Sequence, residues 1–170
     1  KILGKEHRLV ADSLNNLAWL HRLQANYAKA EPRYLRSLAI LEKVLGKEHP
    51  LVAQSLNNLA ELYRLQGNYA SAEPLYLRSL TILKKILGKE HQLVADSLNN
   101  LALLYEAQEN YASAESLYLR SLAIQEKILG KEHRLVADSL NNLAGLYRLQ
   151  GNYAKAEPRL LRSLAIREKV

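Results

Sequence analysis

Residues 47–88 read KEHPLVAQSLNNLAELYRLQGNYASAEPLYLRSLTILKKILG, and this 42-residue phrase recurs through the chain with few changes. Gly4, Gly46, Gly88 and Gly130 each open an identical Gly-Lys-Glu-His, and Lys5–Val44 agrees with Lys131–Val170 at 35 of 40 positions. A period of this length marks stacked supersecondary units, because one unit cannot bury its apolar face without a neighbour. It divides the chain into repeats at 5–46, 47–88, 89–130 and a truncated 131–170, preceded at 1–4 by the tail of another repeat. We expect a single repeat domain over 1–170, cut from a longer array. There is no methionine, and Lys1-Ile2-Leu3-Gly4 matches Lys85-Ile86-Leu87-Gly88.

Within 47–88, Pro50 suits the first turn of a helix, where its missing N–H costs nothing, and His49 stands at the N-cap. Val52, Leu56, Leu59 and Tyr63 then recur at four, three and four residues, the spacing of one helix face. Gln66-Gly67-Asn68 ends that helix: Gly67 tolerates positive φ and Asn68 caps the second helix. Tyr69, Ala72, Tyr76, Ser79, Leu80, Leu83 and Leu87 make a second apolar stripe, which Gly88 stops. Each repeat is therefore a helical hairpin, its antiparallel helices joined by short loops. Ala72 and Ser79 are small enough to let the two helices approach closely.

These residues resemble the tetratricopeptide repeat (TPR). The family's first-helix pattern of Trp, Leu, Gly and Tyr maps onto Leu56, Leu59, Ala60 and Tyr63. Its second-helix Ala and Phe map onto Ala72 and Tyr76, after the family's own gap. The 42-residue length is similar to the repeats of kinesin light chains and their bacterial look-alikes, as are the phrases Leu-Gly-Lys-Glu-His-Pro (45–50), Leu-Asn-Asn-Leu-Ala (56–60) and Ala-Glu-Pro-Leu-Tyr (72–76). The resemblance implies an all-α, right-handed superhelical solenoid of helix-turn-helix repeats. It also implies a concave groove, lined by the first helices, that takes peptides or helices.

A second stripe on the first helix, Arg8, Asp12, Asn15, Trp19 and Arg22, lies opposite Val10, Leu14, Leu17 and His21. Apart from its asparagine, this stripe is where the repeats differ most. Trp19 becomes Glu61, Leu103 and Gly145, and Arg22 becomes Arg64, Glu106 and Arg148. Variation on one face of a chain otherwise copied suits a surface free of packing duties. The expected peptide-binding groove is thus Asp12, Asn15, Trp19, Arg22, Asn57, Glu61, Arg64, Asn99, Leu103, Glu106, Asn141 and Arg148. Asn15, Asn57, Asn99 and Asn141 would form a ladder of amides able to donate to and accept from a peptide backbone; alternatively, they bond neighbouring helices. Trp19 beside Arg22 suits an anchor, or else covers an end of the array. Arg22, Arg64 and Arg148 would favour acidic peptides, with Glu106 interrupting the basic line.

Three other classes compete with this reading. The net charge of +7 and a ladder of Lys29, Arg36, Lys43 and their equivalents on the second helix raise an anionic partner such as nucleic acid. No aromatic residues interleave with that ladder, and Glu31 and Glu42 flank it. Self-association is a further alternative, suited to a structural or model array with no ligand of its own. Val10, Leu14 and Leu17 begin the array and Leu161, Leu164 and Ile166 close it, without polar caps. An enzyme is not expected. His7, His49, His91 and His133 recur with the period, about 10 Å apart or more, too far to share a metal. Their setting reads as a helix-start loop. Ser37, Ser79, Ser121 and Ser163 fill a small packing site, no nucleophile stands beside a placed base, and no cofactor is implied. No apolar run approaches the roughly 20 residues of a membrane span, no leader pattern is seen, and cysteine is absent. The expected setting is cytoplasmic.

Overall fold

The computed structural model describes residue 4 and residues 6–169. The tail expected at 1–3 lies outside them. Among the described residues the chain forms eight helices and no strand: α1 (Arg8–Leu23), α2 (Tyr27–Leu45), α3 (Pro50–Leu65), α4 (Tyr69–Leu87), α5 (Gln92–Ala107), α6 (Tyr111–Leu129), α7 (Arg134–Leu149) and α8 (Tyr153–Arg167). They pair into the four hairpins that the periodicity predicts. Two compact units divide at Ile86 and Leu87, each holding two hairpins. In the first unit α2 packs on α3; in the second α6 packs on α7. No helix among the described residues is long and apolar enough to cross a membrane.

The repeated histidine has a definite task. His7, His49, His91 and His133 sit at N-caps with extended backbone, and each Nδ1 accepts the N–H of the residue two further on, at 3.1–3.2 Å. One donor that a helix start leaves orphaned is thereby satisfied in every first helix. Before the second helices, Asn68, Asn110 and Asn152 do the same with their side-chain oxygens at 3.2–3.3 Å.

Each hairpin closes through small residues. Ser37, Ser79, Ser121 and Ser163 are buried and donate to the carbonyls of Ala11, Ala53, Ala95 and Ala137 at 2.8–2.9 Å. Alanines such as Ala18 and Ala30 have no exposed surface. The bulky side chains face the adjoining hairpin instead. In the first unit Tyr34 packs with Leu59 and Leu62 of α3. In the second, Tyr118 and Leu122 of α6 pack with Val136, Leu140 and Leu143 of α7. Fully burying one such leucine stabilises by about 1.5–3 kcal/mol. Tyr63 and Tyr147 also reach back one hairpin, donating to Glu31 and Glu115 at 3.0 and 2.7 Å.

The expected end faces need one correction. Leu17 is 41% exposed while Leu59 and Leu143, each packed against a preceding second helix, are 2% and 1% exposed. Leu164 is 53% exposed against 9% for its equivalent Leu122. Ile166, however, is buried like its equivalents Ile40, Ile82 and Ile124, so its burial does not depend on a following hairpin. Leu161 is exposed, but so are Leu35, Leu77 and Leu119, so it belongs to the outer face of every repeat.

The loop inside each hairpin holds one residue at positive φ. Gly67 and Gly151 take it at 73° and 69°, whereas Ala25 and Glu109 are held at 54° and 59°. A side chain in that region costs about 1–2 kcal/mol. Glu109→Gly and Ala25→Gly should therefore each raise stability, by about 1 kcal/mol in urea titrations. A loss of stability in both would show that the loops are not strained.

Candidate peptide-binding surface

The first-helix stripe is only partly free of packing duties. In the first unit, Glu61 of α3 stands at the centre of a polar cluster. Arg64 grips its carboxylate with Nε and Nη2 at 2.8 and 2.9 Å, Arg22 reaches it from α1 at 3.4 Å, and Tyr76 donates its hydroxyl at 2.9 Å. Burial alone would raise the Glu61 carboxyl, but the Arg64 and Tyr76 hydrogen bonds and the arginine charges outweigh it and hold the group below its usual 4.5. The same setting pushes the Tyr76 hydroxyl above its ordinary value, through burial first and the carboxylate second. Arg22 and Arg64, the residues expected to draw acidic peptides, are instead both engaged by one carboxylate. Arg148 is exposed.

The sequence marks Tyr76 as a packing residue, yet a phenol in a helix interface needs a partner for its hydroxyl. Glu61 supplies it in the second repeat, and in the third Tyr118 donates to Glu106 at 3.1 Å. In the first repeat Trp19 occupies the Glu61 position, and the buried Tyr34 hydroxyl finds no such acceptor. Trp19 itself is 49% exposed. Leu103 is half-buried against the core of the second unit, so it is not a free member of the stripe.

Three of the four asparagines bond within the chain, as the helix-bonding alternative allows. Asn58 Nδ2 donates to Asn15 Oδ1 at 2.9 Å, and Asn142 Nδ2 to Asn99 Oδ1 at 3.0 Å, tying adjacent first helices within each unit. These partners, the second residues of each Asn-Asn pair, are not among the expected site residues. With its amide oriented to satisfy both ends, Asn141 donates to Ser163 Oγ at 3.0 Å and accepts from Arg167 Nη2 at 2.8 Å. Asn57 differs: its Oδ1 is buried without a partner. All four are half-buried, neither sealed nor fully solvated.

The outer face carries less free charge than its sequence suggests. Lys43, Lys85, Lys127 and Lys169 pair with Glu6, Glu48, Glu90 and Glu132 at 2.5 Å. Arg78 and Arg162 pair with Glu42 and Glu126 at 2.6 Å. The glutamate of each Gly-Lys-Glu-His thus answers the lysine 37 residues later. Among the described residues no group of three His, Cys, Asp or Glu could hold a metal ion.

The tetratricopeptide repeat family model matches residues 1–43, 22–85, 51–127 and 93–169. This chain belongs to the tetratricopeptide repeat family. No curated protein matches it. The TPR fold is shared with the crystal structure of BtubC (BKLC) from P. vanneervenii, at 26% identity and TM-score 0.84, over 95% of this chain and 64% of that one. A putative kinesin light chain of Podosopora anserina with nearly identical TPR-like repeats aligns at 30% identity and TM-score 0.78, over 98% of this chain and 79% of that one. A substituted variant of that protein gives TM-score 0.81 with the same identity and coverage. The chain thus spans just under two thirds of the BtubC structure's length. TPR repeats generally serve as protein–protein interaction scaffolds and are typically non-catalytic.

The depressed Glu61 carboxyl predicts a pH response. A carboxyl lowered in the folded state contributes stability that is present above 4.5 and lost as pH falls through its folded value. Glu61→Gln should lower stability at neutral pH by about 1.5–3 kcal/mol. It should also flatten the fall in stability below 4.5. Parallel acid slopes in urea titrations of the two proteins would contradict this assignment.

Proposed function

We propose that the first-helix stripe of this TPR array binds an extended peptide or helix of a partner protein. The observation that carries this reading is unspent hydrogen-bonding capacity on a half-buried face, above all the partnerless oxygen of Asn57. Asn15 and Asn99 use their oxygens within the packing, whereas the buried Asn57 oxygen is unspent, and a turn of its half-buried amide brings it to a ligand N–H. Trp19 supplies an exposed aromatic anchor on the same stripe. Because Arg22 and Arg64 are already engaged by Glu61, amides and the indole carry the grip, and acidic residues add little. The setting we infer is the cytoplasm. Each terminal ladder lysine on the outer face already holds a glutamate, which weakens the case for nucleic acid.

The test uses a peptide selected by display against the whole chain. Asn57→Ala should weaken it about tenfold, or ~1.4 kcal/mol, with the melting temperature close to wild type, because no partner within the chain loses a hydrogen bond. Trp19→Ala should act in the same direction. Equal affinity for the wild type and Asn57→Ala would refute the assignment.

A second reading, self-association, has its own support. Leu17 of α1 and Leu160 and Leu164 of α8 are exposed, at positions whose equivalents an adjoining hairpin covers. Over Tyr153–Arg167 the α8 of one copy matches α2, which covers α3, except at Leu160 and Arg167, and so fits the α1 of another copy in an open head-to-tail contact. Sedimentation should show association that rises with concentration and disappears in Leu17→Glu. A strict monomer at millimolar protein would dismiss it.

A further inference from the structure

A polar cleft of about 220 Å³ opens between α1, α2 and α3, lined by Asp12, Asn15, Ser37, Leu41, Gln54 and Ser55 among others. Ser55 is 2% exposed, and its Oγ is buried with no hydrogen-bond partner. Leaving such a hydroxyl unmatched costs about 1–3 kcal/mol. The second unit shows how the same place is completed. There Gln125 stands where the first unit has Leu41, and Ser139 stands in the position of Ser55. Ser139 donates to the Gln125 side-chain oxygen at 2.5 Å, and both residues are 4% exposed. In that unit a carboxamide from within the chain fills the position and satisfies the serine. In the first unit leucine cannot, and the cleft stays open.

The chemistry of the lining selects what could enter. Asn15 has its oxygen engaged by Asn58, so its Nδ2 is the end left to donate. Ser55 offers a hydroxyl, and Asp12 a half-exposed carboxylate whose ion pair with Arg8 is long, at 3.8 Å. Two donors and one carboxylate acceptor complement a group that both accepts and donates. A carboxamide does so; a carboxylate has no donor, and an ammonium has no acceptor. A cleft of about 220 Å³ is room enough for the five heavy atoms of a glutamine side chain.

We propose that this cleft seats the carboxamide of a glutamine or asparagine in a peptide bound along the first-helix stripe, with Ser55 and Asn15 donating to its oxygen and Asp12 accepting from its nitrogen. The inference rests on the peptide-binding reading above and names the side chain that the first unit reads.

The probes are acetyl-Ala-Ala-Xaa-Ala-Ala N-methylamides with Gln, Glu, Lys or Leu at the centre, titrated into the ¹⁵N-labelled chain. The Gln peptide should shift the backbone amides of Asp12, Asn15 and Ser55 and bind at least about tenfold tighter than the other three, ~1.4 kcal/mol. Leu41→Gln should abolish the preference, because the introduced carboxamide takes Ser55 as Gln125 takes Ser139. Should that variant melt early, Ser55→Ala removes the same donor with less change in volume. Four peptides behaving alike, a preference that survives both variants, or no response at these residues at millimolar peptide would each overturn the proposal. The two readings fail separately. A display-selected peptide weakened by Asn57→Ala but indifferent to Leu41→Gln sinks the cleft alone. A Gln response at the cleft, with Asn57→Ala binding the selected peptide normally, sinks the broader surface alone.

Discussion

The buried hydrogen bond from Ser79 to the Ala53 carbonyl, repeated by Ser37, Ser121 and Ser163, sets how near the two helices of a hairpin come. Alanine and serine at that contact leave little bulk between the helices, and leucine and tyrosine bury much of their surface against an adjoining hairpin. Tyr34 and Leu59 meet in this way in the first unit, and Tyr118 and Leu143 in the second. One hairpin alone buries too little apolar surface to offset the entropy of ordering its chain. Neighbouring repeats supply the rest, which is why stability here belongs to pairs of repeats rather than to single ones.

The same geometry leaves one side of each first helix only partly packed, and there the repeats diverge. Divergence does not mean independence. Exchanging Trp19 for Glu61 one repeat later changes which partner the second-helix tyrosine finds and draws two arginines onto one carboxylate. Exchanging Leu41 for Gln125 decides whether a buried serine is satisfied from within the chain or left open. In a chain of near-copies the backbone is the control, and single substitutions show which polar groups the fold completes and which it leaves unpaired.

Charge follows a similar rule. A sequence carrying +7 suggests a surface that seeks anions, but its lysines recur at a fixed distance from glutamates, and the hairpin brings the two together. Exposed pairs of this kind add little stability. Their effect is to shorten the list of cations that remain available to a partner.

Much of the fold was legible before any coordinates. Val52, Leu56, Leu59 and Tyr63 mark the face of α3, His49 and Asn68 stand where caps are found, and the period of 42 places every hairpin. These features are local: helix period, capping and loop φ depend on residues a few positions apart, so the sequence by itself determined them, along with membership of the TPR family. The candidate surface was legible only as a stripe. That Leu103 would pack inward, that Ile166 would be buried, and that Arg22 and Asn15 would be held by Glu61 and Asn58 depended on contacts reaching 39 and 43 residues along the chain. A helical wheel gives the direction of a side chain but not what stands opposite it. Only the tertiary structure, by setting one repeat against the next, decided which polar groups on that face were already satisfied and which, like Ser55 Oγ and Asn57 Oδ1, were not.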